Sequence, residues 1–485
     1  MAIINGTSGD DQSAATNGTP QSDIITLFAG DDQTRPGDGA DTVYGGDGRD
    51  RVSYVDSDAG VNVNLVSGNG SGGFAAGDRL FSVEDIFASA FNDVLTGTSG
   101  NNLLDGFNGN DTIFAGSGSD TVIGGDGTDR LFGSDGNDQL FGGDGVDFLF
   151  GDTSTGVGND ILIGGAGADF LFGGAGDDAL AGGAGADSIS GGDGIDVLSY
   201  FNSASAVNVS IVDGTASGGD AAGDTFSGIE GLEGSENNDR LTGNSASNDL
   251  FGGEGADFLD GRGGADSMRG GLGNDFYVVD NTGDVILDEV TFSAGGGIDT
   301  VRAFINYVQP TNIELVRLGN IDGTGNLNVT GNSAPGTLVG NAGNNTMIGG
   351  FSNNQINGNA GDDTITGGNG RDTMVGGSGA DTFVYNNVSD SDAGTANRDF
   401  INGFSNGSDR IDLRGVDANE NTGADNAFTF IGSTGFSGSA GELRLQGLGG
   451  ANAVLVEADT DGNGQADMQI FVNLTTTMSA SDFLL

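Results

Sequence analysis

The sequence predicts an all-β chain: right-handed parallel β-roll arrays (a β-solenoid) with β inserts and a C-terminal β-sandwich-like domain. Three observations predict it. A nine-residue phrase, G-G-x-G-x-D-x-U-x with U a large aliphatic residue, recurs almost in register from Gly97 to Ser199. With 96 glycines in 485 residues, the phrase breaks too often for a helix of useful length. Only 4 prolines are present, which excludes a collagen-like chain.

Each phrase divides into a bend and a short strand. The glycines allow positive φ and close backbone approach, so the first six residues form a tight turn. The last three, x-U-x, alternate outward, inward, outward, as a strand does. Two phrases close one coil of 18 residues, and U stacks on U between two parallel sheets. In the long array, position eight holds Ile113, Val122, Leu131, Leu140, Leu149, Leu162, Leu171, Leu180, Ile189 and Leu198. A four-residue insertion in "GDTSTGVGNDILI" is the one interruption.

The elements follow in order. Residues 1–52 read as an N-terminal roll or cap, 53–96 as a β insert, and 97–199 as the long roll. A second insert spans 200–242; residues 53–97 and 199–243 align without a gap at about half identity, an internal duplication. A short roll at 243–278, a third insert at 279–330 and a roll at 331–384 precede a strand-patterned region at 385–485. The expected picture is a rod of rolls with β outgrowths.

Position six carries the chemistry. It holds Asp111, Asp120, Asp129, Asp138, Asp147, Asp160, Asp169, Asp178, Asp187 and Asp196 in the long array. Shorter arrays place Asp41, Asp50, Asp257, Asp266, Asp275, Asp363, Asp372 and Asp381 there, while Asn102, Asn248, Asn345 and Asn354 take the position in edge phrases. Coils lie about 4.8 Å apart, and two like charges at that spacing repel by roughly 3 kcal/mol at an effective dielectric of 20. Summed along an edge, this rivals the roughly 5–15 kcal/mol by which a domain is stable. A counter-charge between coils is therefore expected, and calcium, which takes six to eight oxygen ligands in flexible geometry, fits better than magnesium.

This phrase resembles the nonapeptide of the RTX calcium-binding proteins. The resemblance implies calcium ions between successive coils, held by the position-six aspartates and by carbonyls of the glycine-rich turn. From Tyr385 onward, "RDFINGFSNGSDRIDLRGVDAN", "FTFIGSTGFSGSAGELRL" and "ADTDGNGQADMQIFV" resemble, in order, the C-terminal β domain of serralysin-type metalloproteases. That resemblance implies a cap ending in a type I secretion signal, matched by Asp482 followed by Phe483, Leu484 and Leu485 in "SASDFLL". "DTDGNGQAD" also reads as a calcium loop, with Asp459, Asp461, Asn463 and Asp467 at positions 1, 3, 5 and 9 and Ile470 where a bidentate Glu is usual.

Composition excludes much else. There is no Cys, His, Trp or Lys, and all 15 bases are Arg. Disulfides, thiolate and lysine catalysis, and the H-E-x-x-H zinc site of the serralysin protease domain are excluded. A net charge of -55 repels nucleic acid and anionic lipid. No run of 18 apolar residues spans a membrane, and "MAIINGTSGDD" lacks the features of a Sec-type signal peptide.

The expectation is a secreted, non-enzymatic, calcium-binding structural protein of a Gram-negative cell surface. It would self-assemble as a surface layer, filament or matrix, as a homo-oligomer or polymer, after passing through a type I secretion apparatus. Phe114, Ile123, Phe132, Phe141, Phe150, Ile163 and Phe172 at position nine, with Phe148, Ile161 and Phe170 at position seven, predict an apolar stripe on both faces of the long roll for that assembly. An adhesin or polysaccharide-binding module is the alternative, and a hydrolase built on an unrecognised carboxylate pair a further one.

Overall fold

A computed structural model describes residues 2–11, 17–153, 156–287, 294–422, 425–448, 452–474 and 477–485. It forms two compact units, Met1–Glu254 and Gly255–Leu485.

In the first unit the long array winds into a parallel β-roll. Strands Thr112–Ser117, Arg130–Asp135, Phe148–Phe150, Phe170–Ala175 and Ser188–Asp193 stack in parallel in one sheet. Strands Thr121–Gly127, Gln139–Gly145, Ile161–Gly167, Ala179–Gly185 and Val197–Ser199 stack in the other. Equivalent residues pair: Ile113 with Leu131, Leu131 with Leu149, Leu149 with Leu171 and Leu171 with Ile189. All ten position-eight side chains are buried, so the core is one aliphatic file per sheet. The turns have room for glycine alone at their closest points: a Cβ on Gly145 would fall 1.5 Å from the Gly127 carbonyl oxygen of the previous coil.

The four-residue insertion leaves the register intact. Leu140 pairs with Leu162 and Leu149 with Leu171, so the strands on either side of the insertion keep their partners. The two duplicated inserts are woven into the roll more closely than outgrowths would be. In the first, strands Asn62–Asn64 and Asn69–Ser71 form an antiparallel hairpin, a 3-10 turn follows at Gly73–Ala75, and Arg79–Phe81 then rejoins the roll beside Thr42–Asp47. The second repeats this with Asn208–Ser210, Thr215–Ser217, the turn Gly219–Ala221 and Thr225–Ser227, which pairs with Ser188–Asp193. The apolar residues of their alternating segments, Val61 and Val63, Val207 and Val209, are buried.

The second unit has the same architecture. One sheet runs in parallel from Phe276–Val279 through Thr300–Ala303, Leu315–Leu318, Thr337–Val339, Gln355–Ala360 and Thr373–Ser378 to Asp399–Phe404. Met468–Leu474 continues it in parallel, and Ala453–Asp459 and Glu442–Gly447 add an antiparallel meander. The other sheet runs from Tyr307–Val308 through Thr382–Val384 and Arg410–Asp412 to Phe483–Leu484. The layers of the C-terminal region are thus the roll's own two sheets extended. Part of the third insert, 288–293, lies outside the described residues.

The phenylalanines of the long roll form ladders on the outer face of its first sheet. Phe114, Phe132, Phe150 and Phe172 stack ring on ring with centroids 4.9, 4.9 and 5.0 Å apart, and Phe148 stacks on Phe170 at 4.8 Å. Stacking half-buries Phe132 and Phe150 but leaves the end rings Phe114 and Phe172 exposed at 42% and 39%. Among the described residues of the long roll, the second sheet carries only Phe141 of the stripe's phenylalanines, between Ile123 and Ile163. The stacked rings of the expected stripe are therefore on one face, while Ile161, exposed at 41%, and the half-buried Ile123, Phe141 and Ile163 carry its apolar character on the other.

Candidate metal centres

Every position-six aspartate predicted from the sequence is buried, including Asp41 and Asp50 near the N-terminus, Asp257, Asp266 and Asp275, and Asp363, Asp372 and Asp381. They form continuous ladders, because each backbone N–H donates to the carboxylate one coil further on. Along one edge Asp93 donates to Asp111 Oδ1 at 2.7 Å, and Asp111 to Asp129, Asp129 to Asp147, Asp147 to Asp169 and Asp169 to Asp187 each at 2.8 Å. On the other edge Asp120 donates to Asp138, Asp138 to Asp160 and Asp160 to Asp178 at 2.8 Å, and Asp178 to Asp196 at 2.9 Å.

One oxygen of each carboxylate in the long roll, from Asp111 to Asp196, is thereby satisfied and the other is not. Oδ2 of Asp111, Asp120, Asp129, Asp138, Asp147, Asp160, Asp169, Asp178, Asp187 and Asp196 is buried without a hydrogen-bond partner, as is that of Asp41, Asp50, Asp275, Asp363, Asp372 and Asp381. An unpartnered buried carboxylate oxygen is costly, and here it recurs along whole ladders. The first glycine of the phrase opens the space beside it. A Cβ on Gly124 would stand 2.3 Å from Asp129 Oδ2 and 2.7 Å from the Gly142 carbonyl oxygen of the next coil. At Gly133 the same point lies 2.3 Å from Asp138 Oδ2 and 2.7 Å from the Gly151 carbonyl oxygen. Converging carboxylate and carbonyl oxygens repel one another unless a cation stands between them, and an all-oxygen donor set suits calcium.

Electrostatics agrees. Burial, with the like charges of Asp93 and Asp129 adding to it, pushes the Asp111 carboxyl up to about 8. Burial and the neighbouring carboxylates push Asp138, Asp160 and Asp169 up to about 7. Metal-free, these groups hold protons near neutrality.

The ladders extend further than the phrase predicts. Asp41 N–H donates to Asp78 Oδ1 at 2.7 Å and Asp187 N–H to Asp224 Oδ1 at 2.9 Å, so acids from the inserts keep the series running. Glu84 and Glu230 accept in the same way from Asp50 and Asp196, as Asp399 and Asp409 do from Asp372 and Asp381. These residues lie outside the nonapeptide, and the usable signal was an acid directly preceding a short β segment, as in "AAGD" at Asp78 and Asp224. There a tyrosine replaces the first glycine, and the Tyr54 and Tyr200 hydroxyls donate to Asp78 Oδ2 and Asp224 Oδ2, both at 2.9 Å. Tyr200→Phe is expected to cost about 1–3 kcal/mol by leaving that buried oxygen unpaired, read from denaturant unfolding at saturating calcium.

The edge asparagines behave differently. Asn102, Asn248 and Asn345 turn their amide nitrogens onto the Glu84, Glu230 and Leu327 carbonyls. In the C-terminal loop, carboxylate oxygens of Asp459, Asp461 and Asp467 come within 4.8 Å of one another, with Asp459 buried. Asp459 accepts from the Gly462 and Gly464 amides, and the Asn463 side chain donates to Asp461 Oδ2.

The family comparisons decide the class. The RTX calcium-binding nonapeptide repeat profile matches residues 36–54, 87–122, 123–153, 154–189, 163–198, 224–259 and 242–277. The peptidase M10 serralysin C-terminal profile matches 264–485. The chain carries RTX calcium-binding nonapeptide repeats and a serralysin-type C-terminal region. RTX repeats bind multiple calcium ions, and the C-terminal match is to the type I secretion region, which is not catalytic. The two together fit a type I secreted extracellular protein, and among the described residues no helix is long and apolar enough to cross a membrane.

No curated protein matches this chain. Among solved structures it is similar to the AlgE6R3 subunit of the Azotobacter vinelandii mannuronan C5-epimerase, at 20% identity over 32% of this chain and 76% of that one, with a TM-score of 0.21. It is also similar to the extracellular lipase LipA of Serratia marcescens, at 17% identity over 53% of this chain, with a TM-score of 0.16. The chain spans 39% of the length of that lipase.

Proposed function

We propose that this is a secreted, non-enzymatic structural protein of a Gram-negative cell surface, which folds on calcium outside the cell and then self-assembles. The calcium would lie between coils, on Oδ2 of the position-six aspartates and the glycine carbonyls beside them. Sites of this kind are suited to the millimolar calcium of extracellular modules. A further ion would sit on Asp459, Asp461 and Asp467.

The observation that carries assembly is the one-sided pair of phenylalanine ladders. Six rings on one face of a chain with net charge -55 form an apolar strip that charge repulsion leaves as the natural site of self-contact. Replacing Phe132 and Phe150 together by Ser is expected to abolish sedimentable assemblies in calcium while leaving the circular dichroism spectrum of the roll in place. Assemblies unchanged in amount would overturn the reading.

A polysaccharide-binding role is the second reading, favoured by a cleft of about 640 Å³ lined by Arg302, Arg317 and Asn320. The two arginines are directly paired on neighbouring strands, a repulsive arrangement that an oxyanion would relieve. A glycan array distinguishes the two readings, because binding lost in Arg302→Ala with assembly intact belongs to the second.

A further inference from the structure

The position-six rungs exist in two states. In the open state Oδ2 has no protein partner. In the closed state the backbone N–H of the residue at position two of the same phrase turns onto the carboxylate. It does so from Thr19 to Asp23 at 2.7 Å, from Ser89 to Asp93 at 2.8 Å, from Ser235 to Asp239 at 2.5 Å and from Ser405 to Asp409 at 2.8 Å. Closed asparagine rungs look the same, with the Thr98 amide on Asn102 at 2.7 Å and the Asn341 amide on Asn345 at 3.0 Å.

What separates the states is the backbone at position two. Open rungs have a left-handed residue there: Gly125 at φ 112° for Asp129, Gly143 at φ 115° for Asp147, Gly174 at φ 124° for Asp178. The rule holds without glycine. Phe107 (φ 67°), Ser134 (φ 88°) and Asn359 (φ 73°) are among the few non-glycine residues with positive φ, and they occupy position two ahead of the open rungs Asp111, Asp138 and Asp363. None of the closing residues has positive φ. The sign of φ sets which way the preceding peptide plane faces, so it decides whether that N–H reaches the carboxylate. Left-handed strain in a non-glycine residue persists only where the surroundings impose it, which argues that the open state is selected. The phrase before Asp160, which carries the four-residue insertion, is the exception: its rung is open although Asp152 at position two has no positive φ.

Closed rungs stand where arrays end. Asp93 and Asn102 precede the open run from Asp111 to Asp196, and Asp224, capped by Tyr200, follows it. In the second unit Asn345 precedes and Asp409 follows the run from Asp363 to Asp381.

We infer that the residue at position two is a metal-occupancy switch: left-handed residues open a rung to a calcium ion, whereas Ser, Thr or Asn with negative φ supplies an N–H in the ion's place. The closed rungs are metal-independent ends that hold the first and last coils of each array. This rests on the calcium reading above.

Ser89→Gly tests it in the full-length protein. The substitution removes the Ser89 hydroxyl from Asp93 and permits positive φ, and the next rung in the ladder, Asp111, is already open. Equilibrium dialysis with metal quantitation should find one more calcium ion per chain than in the wild type. Asn359→Gly, already left-handed, should leave the number unchanged. Thr19→Gly, which opens Asp23 beside the open Asp41, gives the same gain independently should Ser89→Gly fail to fold. An unchanged ion count in a Ser89→Gly or Thr19→Gly protein with wild-type circular dichroism overturns the switch alone. A wild-type protein that takes up no calcium overturns the calcium reading itself.

Discussion

Removing calcium with EGTA at pH 7.5 should abolish most of the β signal in circular dichroism, and lowering the pH of that metal-free protein to about 5 should restore part of it. The sign follows from linkage. The open-rung carboxyls have folded-state values raised mainly by burial, to about 8 for Asp111 and about 7 for Asp138, Asp160 and Asp169. In the unfolded chain they titrate near 3.9. The folded form therefore binds more protons between pH 4 and 8, and its stability falls as pH rises through that window. A tenfold difference in proton affinity between the two states is worth about 1.4 kcal/mol, so the penalty of ionising the rungs accumulates along the ladder against the usual margin of about 5–15 kcal/mol. Calcium replaces the protons and reverses the trend. Its apparent affinity should accordingly weaken as pH falls below about 7. Identical spectra in EGTA at both pH values, with β-structure retained, would sink the proposal of calcium-driven folding.

Asp138→Asn should act in opposite directions with and without metal. With calcium, it removes one charged oxygen from the ladder between Asp120 and Asp160, and the midpoint for folding of the 97–199 roll should rise about tenfold, equivalent to about 1.4 kcal/mol. Without calcium, the neutral amide no longer carries the burial penalty, and natural precedent shows where it would point: the Asn102 amide donates to the Glu84 carbonyl. The variant should therefore survive chelation better than the wild type. The C-terminal region should respond to neither change. A calcium titration followed by circular dichroism, with Asp363→Asn as the matching change in the other unit, checks both signs.

The roll was legible because its two periodicities are written in the sequence. Position eight predicts a continuous aliphatic file, and residues from Ile113 to Leu198 form it without exception. The phrase also located buried carboxylates, since a side chain at position six of a turn between stacked strands has nowhere to go except under the next coil. The inserts were harder. Asp78 and Asp224 enter the ladders after detours of 37 residues from Asp41 and Asp187, and such returns depend on tertiary pairing that no local pattern encodes. Strand patterning at 385–485 suggests a separate sandwich, whereas Thr373–Ser378 pairs directly with Asp399–Phe404. The phenylalanine stripe was legible in composition but not in sidedness. That follows from the alternation of phrases between sheets, which sends Phe132 and Phe150 one way and Phe141 the other.

The register kept across the four-residue insertion carries a lesson for altering the length of this molecule. Asp138 still donates to Asp160 across 22 residues, so a turn accepts added chain without disturbing the strands on either side. Whole 18-residue coils should likewise be removable or insertable, shortening the array while every survivor keeps its neighbours. Excising a single nine-residue phrase is a different operation: it exchanges front and back for everything downstream and cuts the run of stacked rings in two.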